Sequence, residues 1–302
     1  MYKHLIKLLD LSKEDIIDTL NLAQQLKFEN KQGIKHRLLE GKTLAMIFEK
    51  PSTRTRVSFE TGMYQLGGHA LILSRNELQM GRGESVEDTA RVLSRYVDGI
   101  MIRALSHSMV AQLAVHASVP VINGCDDFEH PCQVLADLMT VREHKGKLEG
   151  LKLCFIGDGN NMANSLIVGG LKVGMRVSCA CPEGYTPHKD ILDFAKGYCG
   201  AFELVHDPKV AAKDADVMVT DVWASMGQED EAAARALAFK SFCVDAEIMA
   251  LAAPGAMIQH CLPAHKGEEI TEEVFEAHAQ EIFDEAENRL HAQKAVLVKL
   301  MG

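Results

Sequence analysis

The chain has 302 residues, 47% of them hydrophobic and 25% charged, and a net charge of −10. That length suits two ordinary domains, and the acidic balance argues against nucleic acid and anionic membrane as partners. Eight cysteines with no C-x-x-C pair argue against a disulfide framework or a zinc site, and no apolar run approaches the roughly 20 residues of a membrane helix.

From Ser12 the chain reads as a helix with the apolar stripe Ile16, Leu20 and Ala23. Short apolar runs then read as buried parallel strands at 44–48, 70–73, 99–102 and 119–122. Helical stretches separate them. One covers 85–96 and opens on the capping pair Ser85 and Asp88; another covers 130–144 and runs into the turn-like Lys145-Gly146-Lys147. Further strands are predicted at 151–156, 176–181, 202–205, 216–220 and 256–262, and 285–300 reads as one long final helix. This β/α alternation predicts an α/β fold of two doubly wound parallel-sheet domains, of four or five strands each, joined by helices. The final helix is expected to pack back on the first domain. The expected divisions are 1–145, 146–284 and 285–302.

Ligands of such sheets sit beyond the carboxyl ends of the strands, and the chemically rich residues of this chain follow strands. The turn Ser52-Thr53-Arg54-Thr55-Arg56 offers a helix N-terminus, three hydroxyls and two guanidinium forks, a set suited to phosphate. Arg103 reaches the same sheet edge. In His130-Pro131-Cys132-Gln133, His130 and Gln133 lie one helical turn apart and both suit a carbonyl or amide.

In the second half, Gly157-Asp158-Gly159-Asn160-Asn161-Met162 begins like a dinucleotide fingerprint. Met162 stands where the third glycine belongs, and the next strand ends without a ribose-binding acid. Asp221 follows a buried strand and precedes Trp223, the only tryptophan, and an acid there suits an amine. Read singly, Arg103 is equally a snorkelling arginine, whereas His130 and Asp221 read first as helix caps. Cys261, in His260-Cys261-Leu262-Pro263, is equally a packed thiol, and Arg289 equally a partner of Glu285. Together they place anion binders in the first half and amine or amide binders in the second, for two substrates meeting in an interdomain cleft.

With these motifs the sequence resembles the ornithine carbamoyltransferases over essentially its whole length. S-T-R-T-R and H-P-x-Q mark the wider transcarbamoylase family, while D-V-W-x-S-M-G and H-C-L-P point to the ornithine branch. The resemblance implies a carbamoyl phosphate site of Ser52, Thr53, Arg54, Thr55, Arg103, His130, Pro131, Cys132, Gln133, Cys261, Leu262 and Arg289. Gln79 is implied to reach a neighbouring subunit's site in a homotrimer. Asn161, Asp221, Ser225 and Met226 are implied to hold ornithine. Catalytic roles are implied for Arg54, Thr55, Arg103, His130, Gln133 and Cys261, along with a cis Leu262–Pro263 bond. The expected reaction gives citrulline and phosphate with no cofactor and no metal, in arginine biosynthesis and in the cytoplasm. A carbamoyltransferase using putrescine and a non-catalytic Rossmann-like binding module are the alternatives.

Overall fold

The structure is a computed structural model that describes residues 2–76, 78–80, 83–224 and 229–302. The chain forms two compact units. The first comprises Met1–Met139 and Asn288–Gly302, and the second Thr140–Glu287.

The first unit holds a parallel sheet of β1 (Thr43–Phe48), β2 (His69–Ser74), β3 (Gly99–Arg103) and β4 (Val121–Cys125), in the order β2-β1-β3-β4. Its helices are α1 (Lys13–Lys31), α2 (Thr53–Gln65), α3 (Val86–Leu93), α4 (His107–His116) and most of α5 (Pro131–Lys145). Ser12 caps α1 through a reciprocal box with Asp15, a device that stabilises a helix by about 1 kcal/mol. Ser85 Oγ likewise accepts the Asp88 N–H at 3.0 Å. Residues of β1, β3 and α4, among them Ile47, Ile100, Ile102 and Leu113, form the core with no solvent exposure.

The second sheet has the order β7-β6-β5-β8-β9, built from β5 (Lys152–Ile156), β6 (Arg176–Ala180), β7 (Phe202–Val205), β8 (Val217–Thr220) and β9 (Met257–His260). Around it lie α6 (Asn161–Lys172), α7 (Lys189–Ala195), α8 (Pro208–Ala212), α9 (Ala232–Ala238), α10 (Ala246–Met249) and α11 (Glu272–Ala277). Phe239, fully buried, is the hub of an aromatic cluster with Tyr185, Trp223 and Phe242.

Three expectations are corrected. Strands β2 and β7 are sheet edges with partly exposed side chains, so the reading of 70–73 as a buried strand fails. Strand β4 starts at Val121, two residues later than expected, because Pro120 cannot donate to a ladder; its carbonyl instead accepts the Ile100 N–H. The final helix, α12, runs Ala279–Met301 and starts six residues earlier than 285. Asp284 and Glu285 therefore lie inside it and are not its N-terminal acids. From Asn288 onward α12 belongs to the first unit, where Asn288 Oδ1 accepts a hydrogen bond from Lys27 Nζ at 2.7 Å. A Cβ on Gly99 would come within 2.8 Å of Met301 Sδ, so the end of the helix seats directly against this glycine and a larger residue would make the Met301 side chain shift. The units part after Met139 and Glu287, inside α5 and α12, where the sequence reading divided the chain at 145 and 284.

Candidate active site

In the first sheet the strand order reverses between β1 and β3, a topological switch point, and the predicted anion residues lie at this end. Ser52 has extended backbone and caps α2, its Oγ accepting the Thr55 N–H at 3.2 Å. The first turn leaves N–H groups outside the helical ladder, and the helix dipole adds partial positive charge there. Thr53 and Arg54 are exposed at that turn and Thr55 is buried. Arg56, read from sequence as a second anion fork, is exposed and lies 3.8 Å from Glu60, so it behaves as a solvated helix arginine.

Arg103 ends β3, and its buried Nε has no hydrogen-bond partner in the protein. A buried guanidinium N–H left unpaired is costly unless a ligand completes it. His130, just before α5, is buried, and burial together with the charges of Arg289, Arg103, Lys50 and Arg54 holds its imidazole well below the usual value. It is therefore neutral at physiological pH, a ring with one N–H donor. Gln133 is locked by two neighbours: its Nε2 donates to Asp137 Oδ1 at 2.7 Å, and its Oε1 accepts from Arg289 Nη1 at 2.5 Å. Arg289 Nη2 also donates to Thr55 Oγ1 at 3.3 Å. Cys132 serves packing: Sγ donates to the Asn123 carbonyl at 3.5 Å, and burial pushes the thiol up to about 12. Gln79 is exposed.

The segment that presents His130 is braced from below. Asp126, fully buried, accepts the N–H groups of Phe128 and Glu129 on one oxygen and bonds Asn123 and His107 on the other. Sequence reasoning missed Asp126, Asp137 and Lys50. The i, i+4 spacing of Gln133 and Asp137 on a predicted helix was the available signal for one of them.

The second sheet switches between β5 and β8, and the two strand ends are joined there. Asn160 caps α6, its Oδ1 accepting from the N–H groups of Met162 and Ala163, while its Nδ2 donates to Asp221 Oδ2 at 3.0 Å. Asp221 Oδ1 accepts its neighbour's N–H at 2.8 Å and the Cys261 thiol at 3.1 Å. Asp221 is thus no helix cap but the centre of a small polar cluster. Asn161 is the first residue of α6; Asn160, beside it, was missed by sequence because its capping role disguises a second bond. Ser225 and Met226 lie outside the described residues.

Beyond β9, Leu262 adopts a positive φ of 59° and a cis bond to Pro263, as the resemblance implied. Its N–H donates to His260 Nδ1 at 2.9 Å, while His260 Nε2 bonds the buried Glu269 at 3.0 Å, so Glu269 fixes His260 and His260 fixes Leu262. Glu285 accepts the His260 N–H at 2.8 Å from within α12. Arg235 bonds Asp158 at 2.7 Å and the Trp223 carbonyl at 3.0 Å, tying the turn after β5 to the segment after β8.

The dinucleotide alternative fails on a steric test. In that fingerprint the second glycine lets the backbone approach a pyrophosphate. Here a Cβ on Gly159 would lie 2.1 Å from the Thr186 backbone, and its N–H donates to Tyr185 O, so protein fills the space.

Two parallel sheets, each with its polar groups gathered at its switch point, define an α/β enzyme of two units. The profile of the aspartate/ornithine carbamoyltransferase carbamoyl-P binding domain matches residues 3–143, and that of the Asp/Orn binding domain matches 149–300. An ornithine carbamoyltransferase of Thermococcus kodakarensis is 55% identical, across 97% of this chain and 94% of that protein. One from Pyrococcus furiosus, named anabolic, is 54% identical, across 99% of this chain and 96% of that protein. A solved ornithine carbamoyltransferase structure from Pyrococcus furiosus superposes with a TM-score of 0.95 at 54% identity, covering 99% of this chain and 97% of that one. The chain belongs to the aspartate/ornithine carbamoyltransferase family.

Proposed function

We propose that the chain transfers the carbamoyl group of carbamoyl phosphate to the δ-amine of L-ornithine, giving L-citrulline and phosphate. The observation that carries this reading is the first unit's cluster: Arg103 with an unpartnered buried Nε, His130 kept neutral by burial and by surrounding cations, and Gln133 locked against Arg289. The full-length likeness to ornithine carbamoyltransferases supports the choice of amine.

In this mechanism the phosphate rests on Ser52, Thr53, Arg54 and Thr55 with Arg103. Neutral His130, Arg54 and Thr55 donate to the carbamoyl oxygen, where negative charge develops. Gln133 and the Leu262 carbonyl orient the carbamoyl NH₂. Ornithine's polar groups are held by Asn161, Asp221, Ser225 and Met226, and Asp221 with Cys261 orients the δ-amine. That amine attacks in its neutral form. The C–N bond forms, the C–O bond to phosphate breaks, and the surplus amine proton leaves with phosphate. Much of the acceleration comes from holding two reactants in attack geometry.

Carbamoyl phosphate offered with ornithine, putrescine or aspartate tests this: ureido product is expected with ornithine, and a preference for either other amine overturns it. A homotrimer with Gln79 serving a neighbouring site is part of the proposal, supported by the exposure of Gln79 and of Val57, Tyr64 and Leu71 in the same unit. Mixing Gln79→Ala and Arg54→Ala subunits should regenerate some active sites; no recovery in mixed trimers removes the shared site. A biosynthetic role follows the relative named anabolic, and the eight free cysteines suit a reducing cytoplasm. Among the described residues no helix is long and apolar enough to cross a membrane.

A further inference from the structure

Gln133 is held at both ends of its amide. It sits in the first turn of α5, with Asp137 four residues on along the same face. Thr55, Gln133 and Asp137 are each 1% exposed and Arg289 4%, so the four form a chain of hydrogen bonds shielded from solvent.

An amide has two ends of nearly equal outline, and its neighbours decide which way it faces. A guanidinium only donates, so Arg289 must meet the oxygen. A carboxylate only accepts, so Asp137 must meet the nitrogen. Turning the amide over would set N–H against N–H and oxygen against oxygen, losing both bonds in a place where water does not replace them.

We propose that Asp137 is a positioning residue that fixes the Gln133 amide so that its oxygen, not its nitrogen, is offered to the carbamoyl group. This rests on the reading above that Gln133 meets that group. In that reading the Gln133 oxygen, which accepts from Arg289, accepts from the carbamoyl NH₂ as well. The carbamoyl group therefore binds one way round, with its oxygen left for the donors His130, Arg54 and Thr55. Asp137 acts through its bond to Gln133, and in this way it decides the substrate's orientation.

The test compares two ligands, carbamoyl phosphate and inorganic phosphate, because only the first carries an NH₂. Asp137→Leu removes the acceptor but adds volume; Asp137→Asn keeps the shape and an acceptor oxygen but loses the charge. In the full chain, calorimetry with Asp137→Leu should show carbamoyl phosphate binding weakened about tenfold or more, with phosphate binding changed less than about twofold. Asp137→Asn should restore most of the loss, leaving a selective deficit of about threefold. Equal weakening of both ligands, as a general packing defect would give, overturns the proposal, and so does an unchanged ratio. If Asp137→Leu does not fold, Asp137→Asn decides by the same ratio. Gln133→Ala separates the two layers. A ratio unmoved by Gln133→Ala means Gln133 does not meet the carbamoyl group. A ratio moved by Gln133→Ala but not by the Asp137 variants means only the positioning role fails.

Discussion

At the switch point of the first sheet stand Arg103, His130, Gln133 and Arg289; at that of the second stand Asn160, Asp221 and Cys261. The topology of the two places is alike and their electrostatics are opposed. Among the first group, cations crowd a buried imidazole until it gives up its charge. Among the second, the Asp221 carboxylate gathers an amide, a backbone N–H and a thiol, while the nearby Arg235 is spent on Asp158 and Glu231. Open α/β sheets supply a location at the strand ends, and side chains placed there choose the sign of the ligand. A basic site on a chain of net charge −10 is one result.

The contrast can be broken by single changes. Arg54→Ala is expected to lower turnover by about 10³-fold or more, since it removes a donor to the developing oxyanion, while circular dichroism stays that of the parent. Near-normal activity would remove Arg54 from the phosphate turn. Asp221→Ala should act on the other substrate, raising the ornithine KM and lowering kcat by about 10²-fold, with carbamoyl phosphate affinity within about twofold. A loss shared equally by both substrates would mean the division of labour is wrong.

Two pH effects sharpen the same comparison. Because the His130 pKa is depressed in the folded chain, its proton is absent well below the usual imidazole range. An acid limb of kcat/KM near pH 6.5 would then belong to another group, and a His130→Gln variant should keep the midpoint of any such limb. The stability contributed by neutral His130 is present above the unfolded imidazole value and falls as pH drops through the lower folded one. Glu129, its neighbour, shifts the other way: burial raises its carboxyl from 4.5 to about 8, while Oε2 accepts the Leu8 N–H at 2.6 Å. Its contribution is complete below pH 4.5 and lost as pH rises through about 8. Glu129→Gln keeps the acceptor and removes the titration. Its melting temperature should match the parent near pH 5 and exceed it by a few degrees near pH 9; equal melting curves at both pH values would show that Glu129 does not titrate in this range.

Much of this was legible before the fold was known, and the reasons are local. Strands 44–48, 99–102 and 176–181 were read to within one residue because buried parallel strands are continuous apolar runs. The α12 start was missed because Asp284, Glu285 and Glu287 look like the acids of a helix N-terminus. In fact Glu281 and Glu285 accept the N–H groups of Ile258 and His260 from inside the helix, a use that no local pattern announces. The start of α2 was legible because Ser52, directly after a buried strand, is a residue type that caps a helix, and its Oγ accepts the Thr55 N–H. Asp126, Asp137 and Asn160 were not, because each acts through another side chain.

Gly99, with Met301 seated against it, has a consequence for the order of synthesis. The second unit, Thr140–Glu287, is one continuous stretch, whereas the first needs residues on both sides of it. As the chain leaves the ribosome, the sheet of the first unit emerges early but waits without Arg289, Lys294 and Met301 until every residue of the second unit has been made. During that wait the floor beneath Gly62 and Gly99 is bare apolar surface, and Thr55 and Gln133 lack their guanidinium. The sheet of the first unit is therefore made before the second unit and completed after it, because Gln133 and Thr55 meet Arg289 only once the second unit has been translated.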